Sequence, residues 1–183
     1  MPRTRDFEVD EALDAAVELF WRQGYAATSV RQLCEAMGIQ AGSFYAAFES
    51  KEACFRRALQ RYVDVQLPAL VPGPAAIRAW FRTITAASRQ GKGCLLVNSA
   101  VESPGLDEPT QVEVAGRLRA LEAFFGACLH GRPTAKLDAE LLAATVVSIH
   151  VLARTGATPT KLRRIATRAL ELTGLDDDDA EAC

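Results

Sequence analysis

Apolar residues recur three and four positions apart along most of the chain, and strand-like alternation is nearly absent. Leu13, Ala16, Val17 and Phe20 follow Val9 on one helical face. Gly24 supplies a stop. Thr28 and Ser29 offer an N-cap for a second helix, whose Val30, Leu33, Cys34 and Met37 keep the spacing until Gly38. A third, very short helix fits Gln40 to Phe48, with Phe44 and Phe48 inward. Ser50 caps a fourth that runs toward Pro68 with Phe55, Ala58, Leu59, Tyr62 and Val63 inward.

Residues 68–74 hold three prolines and a glycine and form the best linker in the chain. Beyond it, helices are expected at roughly 75–90, 94–103, 109–130, 136–154 and 159–173. Thr158-Pro159 makes a good helix start and Gly174 a good stop. The stretch Leu141 to Val151 is apolar nearly all round, so its helix is either covered by a second copy or central to its own domain. Asp176 to Asp179 reads as a frayed, solvated tail. The expected fold is all-α, with a first domain over 1–67 and a second over 68–183.

Composition narrows the class. With 49% hydrophobic and 24% charged residues, the chain of 183 residues is not a disordered one. No run approaches the about 20 apolar residues of a membrane span, and the charged start has no apolar leader, so a cytoplasmic protein without membrane partner is expected. The five cysteines are scattered without CxxC pairing, which argues against a disulfide framework, a zinc site or any other metal. No nucleophile–base arrangement or phosphate-cradling glycine loop is present, so neither enzymatic activity nor a cofactor is expected. The net charge of −2 hides an uneven distribution: over residues 20–62, Arg22, Arg31, Lys51, Arg56, Arg57 and Arg61 outnumber Glu35, Glu49 and Glu52. Such a local surplus suits phosphate binding even on an acidic chain.

Two short helices joined by Met37-Gly38-Ile39-Gln40 have the form of a helix-turn-helix: a flexible residue at the corner and an apolar one anchoring it. The second helix turns Gln40, Ala41, Ser43, Tyr45 and Ala47 outward. The wording of the region, Gly24-Tyr25-Ala26-Ala27-Thr28-Ser29-Val30-Arg31-Gln32-Leu33, then Met37-Gly38-Ile39, then Ser43-Phe44-Tyr45-Ala46-Ala47-Phe48-Glu49-Ser50-Lys51-Glu52, resembles the tetracycline-repressor family of bacterial regulators. The resemblance covers residues 7 to about 60 closely. It implies a homodimer that binds a palindromic operator in double-stranded DNA, and a C-terminal domain that takes a small effector and releases the DNA. It also implies a role as repressor in the bacterial cytosol and nucleoid.

Carried onto this sequence, the resemblance puts Thr28 and Ser29 on a phosphate at the start of the second helix, with Arg31 reaching a phosphate or a guanine edge. Tyr45 and Lys51 become backbone contacts, and Gln40, Ala41 and Ser43 readers of base edges. Gln40 stands where Ser or Thr often caps the recognition helix, and Ala46 and Ala47 replace bulkier residues, which weakens a cap and removes a contact.

In the second half, Gly91-Lys92-Gly93-Cys94-Leu95 places Cys94 near a helix N-terminus, where the dipole and Lys92 would lower the thiol pKa. A similar Gly-Cys-Leu stretch occurs in family members that sense oxidants and electrophiles, which makes Cys94 a redox-sensor candidate; the other reading is a small buried hydrophobe. Cys34, Cys54 and Cys128 read as packing and Cys183 as a tail residue. An effector pocket is expected among Trp80, Phe81, Ile84, Cys94, Leu95, Asn98, Glu102, Phe124, Phe125 and His150, residues that equally suit plain core. Two other function classes stay open: a helical thiol-reactive enzyme centred on Cys94, and a protein-interaction module that has lost DNA binding.

Overall fold

The computed structural model describes residues 3–66, 71–87 and 91–176; parts of the 68–74 linker and of the 176–179 tail, and Cys183, lie outside the described residues. The described residues form nine α-helices and no strand: α1 (Arg3–Gln23), α2 (Val30–Met37), α3 (Ala41–Phe48), α4 (Lys51–Gln66), α5 (Pro74–Ala87), α6 (Leu95–Val101), α7 (Glu108–Cys128), α8 (Ala135–Arg154) and α9 (Pro159–Leu172), with a 3₁₀ turn at Ser103–Gly105 after α6. None of the described helices is long and apolar enough to cross a membrane.

Contacts divide the chain into two compact units, one comprising the described residues of 1–68 and 94–115, the other those of 69–93 and 116–183. A boundary at 67/68 separates α4 from α5, but residues 94–115 belong with the first four helices. The physical reason is that α6 packs on α1 and α4, burying Leu95, Leu96 and Val97.

In the first unit, α1 lies along α4 and α2. Its core is built on Phe20, Leu33, Phe44, Phe48, Phe55 and Leu59, all at most 2% exposed. Phe20 meets Phe55 edge-on at 4.8 Å, and Phe44 meets Phe48 at 5.4 Å, arrangements that suit ring quadrupoles. The helix ends follow local chemistry. Gly24 leaves α1 at φ +88°, its N–H bonded to Phe20 O. Ser29 and Gln32 form a reciprocal capping box at α2, and Gly38 closes that helix in the left-handed conformation. Gln40 makes no side-chain cap bond to α3. The exit of α3 places Glu49 at φ 64°, a non-glycine left-handed residue, before Ser50 Oγ accepts from Ala53 N–H at the start of α4.

The second unit packs α8 on α9 and α5 on both. Ile77, Phe81, Phe125, Leu129, Leu142, Ile149 and Leu162 form its fully buried centre. α9 begins at Thr158, which accepts from Lys161 N–H, with Pro159 in the first turn.

Candidate nucleic-acid interface

The helix-turn-helix is α2 and α3. Phe44 and Phe48 are buried and fix which way α3 faces. Gln40, Ala41 and Ser43 are exposed beside Tyr45, which is 52% exposed although its ring edge rests on Phe44 at 5.4 Å. The four outward residues therefore form one accessible face of the recognition helix. Between Ala41 and Phe48 no Asp, Glu, Lys, Arg or His occurs, so this face offers amide, hydroxyl and methyl groups but no formal charge.

Lys51 lies at the other end of the site. Its Nζ sits 4.0 Å from the centroid of the Tyr25 ring, a cation–π contact. Partial burial draws its pKa below the usual lysine value, while the carboxylates of Glu52 and Glu102 pull the other way. The Tyr25 hydroxyl donates to Glu52 Oε1 at 2.7 Å. That bond holds the Glu52 carboxyl below its ordinary pKa. Desolvation, followed by the hydrogen bond to Glu52, raises the Tyr25 phenol.

The start of α2 differs from expectation at Thr28. It is buried, its hydroxyl donates to Gly24 O at 2.6 Å, and its Oγ1 accepts from Gln23 Nε2 at 3.1 Å. The Thr28 side chain thus locks the α1–α2 turn instead of facing a phosphate. Ser29 is the cap residue and is exposed. Arg31 is exposed and paired with Glu35 at 2.9 Å on the same helix, a pair in open solvent that holds it weakly.

Sequence reasoning did not single out Arg57. Its Nη1 donates to Ala47 O at 2.9 Å, its guanidinium lies 4.8 Å from the Phe48 centroid, and it is exposed. It thereby binds the carbonyl end of α3 to α4 and adds a cation beside the recognition helix. The local positive surplus was the only sequence signal for it.

The residues expected to line one effector pocket fall into both units. Cys94, Leu95, Asn98 and Glu102 belong to the first; Trp80, Phe81, Ile84, Phe124, Phe125 and His150 belong to the second. Glu102 is half-buried with Oε2 accepting from the Tyr25 N–H at 2.7 Å, beside the helix-turn-helix. Cys94 is buried at the N-cap position of α6. Burial raises its pKa, reversing the expected direction. The Tyr62 hydroxyl and the N–H groups of Val97 and Leu96 do favour the thiolate, as the helix N-terminus predicts, but desolvation outweighs them. Cys34 and Cys128 are buried as well, and burial pushes Cys54 up to about 12.

Among the second-unit residues, Phe81 and Phe125 are fully buried, and Trp80 stands 5.8 Å from Phe124 and 5.9 Å from Phe125. Trp80 Nε1 is buried with no hydrogen-bond partner among the described residues. Desolvation lowers His150 from 6.5 to about 4. Below pH 6.5 the unfolded imidazole takes a proton that the folded one refuses until about pH 4. Stability is therefore complete above pH 6.5 and falls by on the order of 3 kcal/mol as the pH drops through that window. His150→Leu should flatten this acid limb in urea unfolding followed against pH, and parallel limbs in both proteins would refute the assignment.

Residues 12–58 match the family model described as "Bacterial regulatory proteins, tetR family". Over 93% of its length the chain is 31% identical to the HTH-type transcriptional repressor ComR of Escherichia coli, covering 90% of that protein. It is 29% identical to the repressor DhaR of a Mycobacterium strain, with 70% of this chain and 69% of that one covered. Among solved structures, the TetR family regulator CifR, as a cysteine mutant complexed with 26-bp double-strand operator DNA, superposes with a TM-score of 0.77 at 25% identity, covering 88% of this chain and 94% of that one. A TetR regulator from Chloroflexus aurantiacus shares the fold with a TM-score of 0.82 at 22% identity, covering 95% and 98%. These relatives are transcriptional regulators and not enzymes. With the recognition helix, its aromatic anchors and a relative matched along nearly the whole chain, this protein belongs to the TetR family of bacterial DNA-binding transcriptional regulators.

Proposed function

We propose that the protein is a homodimeric repressor that holds a palindromic operator through α3 and releases it when a small effector occupies the second unit. The observation that carries this reading is the outward face of α3: Gln40, Ala41, Ser43 and Tyr45 stand exposed on a helix pinned from behind by Phe44 and Phe48. In this reading Gln40, Ala41 and Ser43 meet base edges in the major groove, while Tyr45, Lys51, Ser29 and Arg31 hold the phosphates on either side. The names of ComR and DhaR, both repressors, favour repression over activation.

A second copy is favoured by the outer faces of α8 and α9. Leu137, Leu141, Val151 and Leu172 are 67%, 41%, 41% and 58% exposed. Leu141 and Leu172 line an open groove with Thr145 and Ile165 between the same two helices. Contiguous exposed leucines on a soluble chain are characteristic of an interaction face. An isologous pairing would bury this surface twice over.

The effector is best sought at Trp80. A buried donor without a partner costs about 1–3 kcal/mol, which a ligand acceptor would return. Phe124 and Phe125 beside it favour a largely apolar or aromatic ligand carrying one acceptor. Burial of Cys94 favours this route over thiol modification. Selection of binding sites from random duplex DNA by the purified protein tests the reading. Enrichment of a palindrome is expected; no enrichment at low salt from a folded dimer would overturn it.

A further inference from the structure

The seven-residue helix α6 ends beside the helix-turn-helix, and Glu102 follows it there. Glu102 Oε2 accepts from the Tyr25 N–H at 2.7 Å, across 77 positions of sequence. The carboxylate occupies the space that a side chain on residue 24 would fill: a Cβ there would lie 2.2 Å from Glu102 Oε1 and 3.1 Å from its Cδ. Glycine at 24 is thus favoured by its φ of +88°, and a side chain there would push the Glu102 carboxylate out of its seat.

What hangs from this turn is the DNA-facing chemistry. Gly24 O accepts from the Thr28 hydroxyl, the residue before the α2 cap. The Tyr25 ring carries the Lys51 ammonium, and its hydroxyl holds Glu52 in the first turn of α4. A few residues further along, Asp107 pairs with Arg56 of α4 at 2.7 Å, so the segment after α6 grips the α1–α2 turn and α4, one on each side of the helix-turn-helix in sequence. Both acceptors are carboxylates, and bonds to ionised acceptors are the stronger kind.

We propose that Glu102 is a positioning residue for DNA binding: its carboxylate, seated in the notch at Gly24, fixes the α1–α2 turn and, through Tyr25, the ammonium of Lys51. The inference rests on the DNA-binding reading for its functional consequence but not for its structural one.

The test uses full-length protein with Glu102→Ala, Glu102→Gln, Gly24→Ala and the Gly24→Ala/Glu102→Ala pair. Nitrogen-15 NMR follows the Tyr25 amide, and fluorescence anisotropy follows binding to the duplex enriched by selection. Loss of a bond to an ionised acceptor predicts an upfield shift and faster exchange of the Tyr25 amide in Glu102→Ala and Gly24→Ala, with little change in Glu102→Gln. Operator affinity should fall about tenfold in the first two, and Glu102→Gln should return to within about threefold of wild type. The double variant should bind no worse than Gly24→Ala alone, because both changes remove one contact. A wild-type Tyr25 amide in Glu102→Ala would overturn the contact. A shifted amide with unchanged affinity, or full additivity in the pair, would overturn the positioning role. If no duplex is enriched, the amide measurements still decide the contact, and the DNA-binding reading fails separately.

Discussion

In the proposed homodimer, placing glutamate at both Leu141 and Leu172 is expected to separate the two copies and to weaken operator binding more than about a hundredfold. Both side chains are substantially exposed in the single chain, at 41% and 58%, so the substitutions leave the fold of one chain intact. In a two-fold pairing each change enters the interface twice, and taking those carboxylates out of water costs several kcal/mol, which Arg164 and Arg168 in the same groove offset only in part. Two half-sites bound by one rigid dimer give an affinity that separate chains cannot match. Sedimentation equilibrium reads the mass, circular dichroism the fold, and anisotropy the affinity. A variant that remains a dimer at low concentration would place the interface elsewhere.

Lys51→Ala is the second large effect. Its ammonium lies on Tyr25 at the first turn of α4, and in the proposed complex it faces a phosphate. Losing a charge-assisted bond of about 1.5–3 kcal/mol weakens binding roughly ten- to hundredfold. The loss should be similar for every duplex, and the slope of log affinity against log salt should fall by about 1 for each phosphate contact removed. Lys51→Arg, which keeps the charge and the cation–π contact, should retain most of the affinity. An unchanged salt slope in Lys51→Ala would remove the phosphate role even if affinity dropped.

Much of this architecture could be read from residue order because helices announce themselves locally. The spacing of Leu13, Ala16 and Phe20, the glycine stops at Gly24 and Gly38, and the Thr158-Pro159 start lie where the helices of the structure begin and end. The outward face of α3 followed from Phe44 and Phe48 alone, four residues apart and both buried. What escaped were features set by contacts distant in sequence. Nothing periodic in residues 94–115 reveals that they pack with α1 and α4, so Glu102 was grouped with Trp80 when its partner is the Tyr25 backbone. Thr28 looked like a cap because its type suits one, yet the hydroxyl turns back to the carbonyl four residues earlier. For Cys94 the sequence showed the helix terminus but not the burial, and burial is the larger influence on its thiol.

The absence of ionic side chains from α3 has a consequence for how a regulator of this design searches a genome. Attraction to any stretch of DNA comes from cations outside that helix, and it fades as salt rises. In the proposed complex, discrimination between sequences falls to neutral groups whose contacts depend far less on ionic strength. Raising salt would therefore shorten the time spent on random DNA more than it blurs the choice of site, so that selectivity improves while overall grip declines.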